Sequence, residues 1–382
     1  MLELVLWVSL ALMTWTYIGY PAMLYLVVLV RRRRVNAEDI EPSCTLIITA
    51  YNEEKSIAQK LLNSLSLDYP RDKLQILVAS DRSDDSTNEI VSTFADQGVE
   101  LLVLSQRGGK TAAQNQAADR ARGDIVVFTD ASTEFTSESF RALLRPFADA
   151  AVGCVAAELE YVSDQETGIG KGAGFYWRYE RWLKHLESSA NSLIGVSGCL
   201  YAVRKENYPR ISPELISDFV IASEIYRMGL VTVYGLGATA VEKTLEDSRS
   251  EFNMRVRVAV RSINALVKYA YMLNPTKYRL FAVQLLSHKV LRYLVPELLL
   301  VALISSWLLV LEHSIWSIYG VLLTGQVLGY LLAAVGWVTQ TLGKRIPFVY
   351  IPFYFLHVNF AALWAQWLYL RGERKAIWTP IR

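Results

Sequence analysis

The sequence predicts an α/β domain with a mostly parallel sheet, carried between helices long and apolar enough to cross a membrane. Three observations support this. Between about 40 and 245, short apolar runs alternate with stretches of helical periodicity, the pattern of a parallel sheet. Residues 2–30 and three stretches after 294 are almost continuously apolar, and roughly 20 such residues span a bilayer. The mean hydropathy of +0.22 is high for a water-soluble chain of 382 residues.

The elements follow in order. Leu2 to Val30 carries one charge, Glu3, and is followed by Arg31-Arg32-Arg33-Arg34. A cleaved signal would have its basic residues first. Here they come last, which predicts an uncleaved anchor (1–34) with the arginines on the cytoplasmic side. In the α/β domain (40–245), Thr45–Ala50 reads as a buried strand, Lys55–Leu67 as a helix and Leu74–Ala79 as a second strand. An acidic turn, 80–87, then leads to a helix ending near Phe94. Val99–Leu104 is the third strand. Gly108-Gly109-Lys110 opens a helix to about Ala121, and Ile125–Thr129 is the fourth strand.

Beyond Ser132 the pattern is less regular. Phe140–Phe147 reads as a helix and Ala151–Leu159 as a strand. The glycines between 168 and 174 read as a flexible lead into a helix. Val196–Arg204 is a strand or bend, and Ser217-Asp218 starts a helix that stops at Met228-Gly229. Leu230–Tyr234 is a further strand. Residues 249–293 read as amphipathic, basic helices lying in the membrane interface, with His288 at headgroup level. Residues 294–370 supply about three spans, and 371–382 form a tail. Three spans after a cytoplasmic domain put the tail outside. Arg371, Arg374 and Lys375 favour the inside, so the two rules conflict. A re-entrant segment at Pro347 and Pro352 would reconcile them; one span before the domain and three after is the preferred arrangement.

Charge and cysteine usage narrow the function. A net charge of +2 gives no bulk attraction to nucleic acid. Cys44, Cys154 and Cys199 are odd in number and widely spaced, which argues against a disulfide framework or zinc site. Instead, the strand ends carry carboxylates. In an open α/β sheet, ligands sit outside the carboxyl ends of the strands. The run Val126–Ser132 delivers Asp130 there, a candidate for a metal or a ribose. Lys110, after two glycines at a helix start, is a candidate for phosphate. Asp81 and Glu53 are candidates for the base and ribose edges. Asp218, further along, is free to act as general base. Oxygen ligands of this kind suit Mg²⁺ or Mn²⁺.

Together these motifs resemble the membrane-embedded family 2 glycosyltransferases, whose catalytic domain is the Rossmann-like GT-A fold, related to synthases of hyaluronan, chitin oligomers and exopolysaccharides. Ala50-Tyr51-Asn52-Glu53 resembles the family's first donor loop, Asp81 its acidic nucleotide turn, and Gly108 through Asn115 its glycine–lysine helix start. Asp130-Ala131-Ser132 stands where the D-x-D motif belongs, and Gly198-Cys199 resembles the acceptor-side turn. The resemblance implies a nucleotide-sugar donor (UDP-sugar favoured), a saccharide or lipid-linked acceptor, and an inverting transfer with Asp218 as base. It implies donor contacts from Ala50, Tyr51, Asn52, Glu53, Asp81, Lys110, Asn115, Asp130, Ala131, Ser132 and Arg257, and acceptor contacts from Gly198 and Cys199. It also implies a divalent cation at Asp130 and Ser132, in a bacterial-type plasma membrane with the catalytic domain cytoplasmic.

Three departures stand out. Ser132 replaces the second carboxylate of D-x-D, the usual metal ligand. Ser217 replaces the first of an acidic pair. Of Q-x-x-R-W, typical of processive synthases, only Arg257 remains. Three C-terminal spans are also few for a pore, so export would need a partner or a homo-oligomer. The competing readings are a non-catalytic membrane scaffold with an eroded donor site, and a nucleotidyltransferase on an anchor, which leaves Asp218 and the basic helices without a role.

Overall fold

The computed structural model describes residues 1–162, 169–243, 248–342 and 346–374. In chain order the larger elements are α1 (Leu2–Thr14), α2 (Tyr20–Val30), β1 (Cys44–Ala50), α3 (Ile57–Leu65), β2 (Leu74–Ser80), α4 (Thr87–Ser92), β3 (Val99–Val103), α5 (Lys110–Arg120), β4 (Ile125–Asp130) and α6 (Ser137–Leu144). They continue with β5 (Val152–Val162), α7 (Ile169–Ala190), β6 (Leu200–Arg204), α8 (Ser217–Arg227), β7 (Val231–Lys243), α9 (Ser248–Lys268), α10 (Pro275–Leu285), α11 (Leu291–His313), α12 (Ile318–Thr341) and α13 (Pro347–Leu370).

The seven strands form one sheet in the order β3-β2-β1-β4-β6-β5-β7. The first four are parallel, and β5 pairs parallel with β7. β6 runs antiparallel to both β4 and β5. The sheet is therefore mixed, and only its first half follows the Rossmann-like winding. The reversal at β6 brings the turn before Leu200 to the carboxyl end of β4, so Gly198 and Asp130 share one edge. Period-two alternation gives each strand two buried faces, as parallel strands require. Ile47, Leu77 and Phe128 pack on one side with α5 and α8; Leu46, Val78 and Val127 pack on the other with α3 and α6.

Two stretches differ from the sequence expectation. The region read as a flexible glycine lead is part of α7 from Ile169 onward; Gly168 lies outside the described residues. His288 is not at a headgroup surface. It is buried, with Nδ1 2.6 Å from Glu187 and Nε2 3.3 Å from Glu180 on α7. Arg292 binds the other side of Glu180, and the Tyr20 hydroxyl donates to Glu187 at 2.5 Å. Buried charges persist only when paired, and this cluster ties α2, α7 and the start of α11 together.

Among the described residues, four helical stretches are long and apolar enough to cross a membrane: Leu2–Val30, Pro275–His313, Ile318–Thr341 and Phe348–Leu370. Their outward faces carry large apolar side chains, such as Val30, Val321, Trp337 and Phe348, that an aqueous surface would not favour. The chain is thus an integral membrane protein with several long apolar helices. Leu6 on α1 packs with Ala302 and Leu309 on α11. α9, amphipathic as expected, is wedged between the sheet domain and α13. Val256, Ala259 and Val260 meet Ala361, Ala365 and Leu368 there, while Arg261 donates to Leu215 O at 2.6 Å and Thr111 Oγ1 at 3.0 Å.

Candidate active site

The site forms where the strand order turns outward between β1 and β4, with Thr49 beside Asp130 in register. Thr49 Oγ1 donates to Asp130 Oδ1 at 3.2 Å. Lys110, the first residue of α5, reaches the same carboxylate at 2.5 Å and donates to Gly198 O at 2.8 Å. Burial opposes the charge on Lys110, but Asp130 beside it and Asp218 beyond outweigh that and hold its pKa above the ordinary lysine range. Lys110 therefore bridges the candidate donor edge and the acceptor-side turn.

Two glycines make that approach possible. Gly109 has φ +81°, a left-handed conformation that glycine adopts freely. A Cβ at Gly108 would lie 2.7 Å from that of Ala112. Both backbone N–H groups donate to Asp81, at 2.7 and 2.9 Å. Burial pushes the Asp81 carboxyl above its ordinary range despite those donors. Beside it the Arg107 guanidinium lies 3.7 Å from the centre of the Tyr51 ring. Asn52, at φ +54°, and Glu53 join the first loop to the acidic turn: Asn52 N–H donates to Ser83 Oγ at 3.1 Å, and Glu53 N–H to Thr87 Oγ1 at 2.8 Å.

Asp218 sits in the first turn of α8, where the helix dipole favours a carboxylate. Its backbone C=O accepts from Val196 N–H at 2.9 Å. A Cβ built on Gly198 would lie 2.5 Å from both carboxylate oxygens of Asp218, so the turn lies directly against the candidate base. Asp218 and Gly198 line a cavity of about 760 Å³ whose far wall comes from α9 and α13.

Other expected residues fall differently. Ala50 and Ala131 are buried and contribute backbone and packing, whereas Ser132 is exposed at the strand end. Cys199 is buried; burial and the carboxylates of Glu242 and Asp130 push its thiol well up. Only its backbone, accepting from Asp130 N–H at 3.3 Å, joins the edge. Asn115 stands apart: its amide holds Ile211 O at 2.6 Å and its carbonyl accepts from Ile211 N–H and the Tyr208 hydroxyl, both at 3.2 Å. It clamps a loop and does not join the cluster. Arg257, on α9, is within electrostatic reach of Asp130; burial and then Arg261 lower its pKa.

Two residues near Asp130 had no signal in the motifs. Lys60 on α3 is buried, its Nζ held by Thr133 O at 2.5 Å and Thr129 Oγ1 at 3.2 Å, and burial lowers its pKa to about 7. Glu242 on β7 accepts from Thr133 Oγ1 at 2.8 Å, and burial followed by the charge of Asp130 raises its pKa. The helical spacing of Lys60 could have flagged it as an inward-facing lysine. Nothing short of the sheet order places Glu242.

Among the described residues no three His, Cys, Asp or Glu side chains converge on a metal position. Asp130 and Ser132 nonetheless offer a carboxylate and a hydroxyl at one strand end. That set fits Mg²⁺ or Mn²⁺, which bind through one or two carboxylates together with substrate phosphates.

Comparison with known proteins agrees with this geometry. Residues 45–209 match the model of the family "Glycosyl transferase family 2". Similar curated proteins include the probable glycosyltransferase YdaM of Bacillus subtilis, 22% identical over 62% of this chain and 59% of that protein. A beta-monoglucosyldiacylglycerol synthase of Trichormus variabilis is 25% identical over 43% of this chain and 36% of its own length. The chain thus spans less than two thirds of these relatives. Among solved structures, the mannosyltransferase PcManGT of Pyrobaculum calidifontis, in complex with GDP-Man and Mn²⁺, shares the fold, with a TM-score of 0.70 at 23% identity, over 95% of this chain and 99% of that one. Residues 45–209 therefore form a family 2 glycosyl transferase domain of GT-A fold, which the chain joins to membrane-spanning helices on both sides.

Proposed function

We propose that the protein is an inverting glycosyltransferase that moves a sugar from a nucleotide sugar to a lipid-linked or saccharide acceptor at the cytoplasmic face of a plasma membrane. The observation that carries this is the place of Asp218: a carboxylate against the Gly198 turn, lining a cavity whose other walls come from α7, α9 and the long apolar helices α11 and α13, while Lys110 ties that same turn to Asp130 at the donor edge. The nucleoside is read by the edge formed by Tyr51 and Asp81. Lys110 faces the diphosphate from a helix N-terminus, the kind of position that favours anions. Asp218 takes the proton of the acceptor hydroxyl, whose oxygen attacks the anomeric carbon from the side opposite the leaving diphosphate, and inversion follows. Arg257, close to Asp130, adds positive charge where the diphosphate departs. A divalent cation held by Asp130 and Ser132 would neutralise diphosphate charge.

A UDP-sugar is the favoured donor, although the solved structural relative carries GDP-Man. The loss of the Q and W of the processive motif supports addition of a single sugar, and with it a role in glycolipid or oligosaccharide assembly over polymer synthesis. The test is incubation of the purified protein in membranes with a panel of UDP- and GDP-sugars and Mg²⁺ or Mn²⁺, following nucleoside diphosphate release. Release with one donor and a single added sugar is expected. No release with any donor and acceptor would leave the non-catalytic scaffold in its place.

A further inference from the structure

The cavity beside Asp218 has two unlike ends. Its outer wall is mostly apolar: Ile351, Phe355, Val358 and Ala362, with Tyr354 and Asn359 among them, come from α13, a helix of membrane-spanning length. Its inner end carries Lys184, Lys289 and Arg292. Lys184 Nζ lies 3.2 Å from Ser197 Oγ, one residue from the glycine that touches Asp218. The neighbouring carboxylates Glu180 and Glu187 are spent on Arg292, His288 and Tyr20. Among the described residues neither lysine has a carboxylate within 4.0 Å. Arg292 keeps Nε and Nη2 buried without hydrogen-bond partners, and unmade bonds of a buried cation are costly unless a ligand makes them.

We propose that this cavity binds the phosphate of a hydroxyl-bearing phospholipid or phosphoglycolipid, and that such a lipid is the acceptor; this rests on the transfer reading above. Phosphate oxygens make short, charge-assisted bonds to lysine and arginine, and two lysines with one under-bonded guanidinium offer them together. About 760 Å³ suits a headgroup with the first part of an acyl chain. The α13 wall lets that chain run toward the bilayer. With the phosphate at Lys184 and Lys289, a headgroup hydroxyl falls to Asp218. Asp218 takes its proton, the oxygen bonds to the anomeric carbon, and the bond from that carbon to the nucleoside diphosphate breaks with its electron pair leaving on the diphosphate.

The test is lipid retention, measured by native mass spectrometry of the full chain released from phosphatidylcholine nanodiscs. The discs carry dioleoylphosphatidylglycerol or, at equal fraction, dioleoylglycerol, which has the hydroxyl and chains without the phosphate. Phosphatidylglycerol should be retained at least about tenfold better. The double variant K184Q/K289Q should lose most of that preference, while K184R keeps it. Equal retention of the two lipids by the native protein overturns the proposal, as does an unchanged preference in a K184Q/K289Q protein that unfolds at the native temperature. Displacement of the lipid by an equal concentration of glycerol 3-phosphate would assign the site to free phosphate and overturn the lipid acceptor. Diphosphate release, assayed separately with the donor panel, keeps the two readings apart. A lipid preference without release with any donor sinks the transfer reading alone, and release onto a neutral glycolipid without phosphate preference sinks this one alone.

Discussion

Gly198 and Asp218 approach so closely that no side chain fits between them: a Cβ at position 198 would stand 2.5 Å from each carboxylate oxygen. All three nearest atoms belong to the Asp218 carboxyl group, so an added methyl must push the candidate base aside. The Gly198→Ala enzyme should turn over at least about a hundredfold more slowly, since a misplacement near 1 Å costs that much. Its donor KM should move little. A kcat near the native value would show that Asp218 is not held by this contact.

Ser132 is the residue in which the donor edge departs from two carboxylates. Ser132→Asp should lower the Mn²⁺ concentration giving half-maximal activity by about tenfold, because a second carboxylate adds a hard anionic ligand. Ser132→Ala should raise it. The metal titration of each variant checks this, and identical curves for all three proteins would remove the cation from Ser132.

Asn115 separates a donor contact from a clamp. Asn115→Leu strands the N–H and C=O of Ile211 and the Tyr208 hydroxyl. The expected cost is about 2–4 kcal/mol of stability, seen as a lower thermal midpoint, with the donor KM within twofold of native. A large KM rise at unchanged stability would restore Asn115 to the donor site.

Lys60 predicts a pH signature. Burial lowers its folded pKa to about 7, below that of an unfolded lysine. Between those values the unfolded chain binds more protons than the folded one, so stability rises with pH through this window. Below about pH 7 both states are charged and the burial penalty is felt in full. Lys60→Met should flatten the rise in thermal midpoint between pH 7 and 10 that the native protein shows. Parallel profiles would mean that Lys60 stays protonated throughout.

Much of this was legible in the chain. The first four strands and their helices followed from apolar runs closed by polar turns, because a strand buried on both faces writes itself as an unbroken hydrophobic stretch. The long apolar helices followed from length and composition. Asp81, Lys110 and Asp130 stood at strand ends or helix starts, so local pattern located them. What local pattern could not supply was contact across the chain. Glu242 meets Asp130 only because β7 joins the sheet beyond β5. His288 looked interfacial beside Lys289 and Arg292, but its partners Glu180 and Glu187 lie 108 and 101 residues earlier. The glycines from residue 170 onward read as flexible because their intrinsic preference opposes a helix, yet they lie within α7. Asn115 matched a motif by position, yet its amide serves a loop that begins far downstream.

The role of Asp218 as proton acceptor in the transfer carries the proposed reaction. It is tested most directly by comparing Asp218→Asn with the native enzyme for nucleoside diphosphate release and, in parallel, for nucleotide-sugar binding by calorimetry in detergent. Release should fall by at least about a thousandfold, in line with general base catalysis, while the donor Kd stays within about threefold. Turnover within tenfold of native, or a turnover loss explained by lost donor binding, would contradict it.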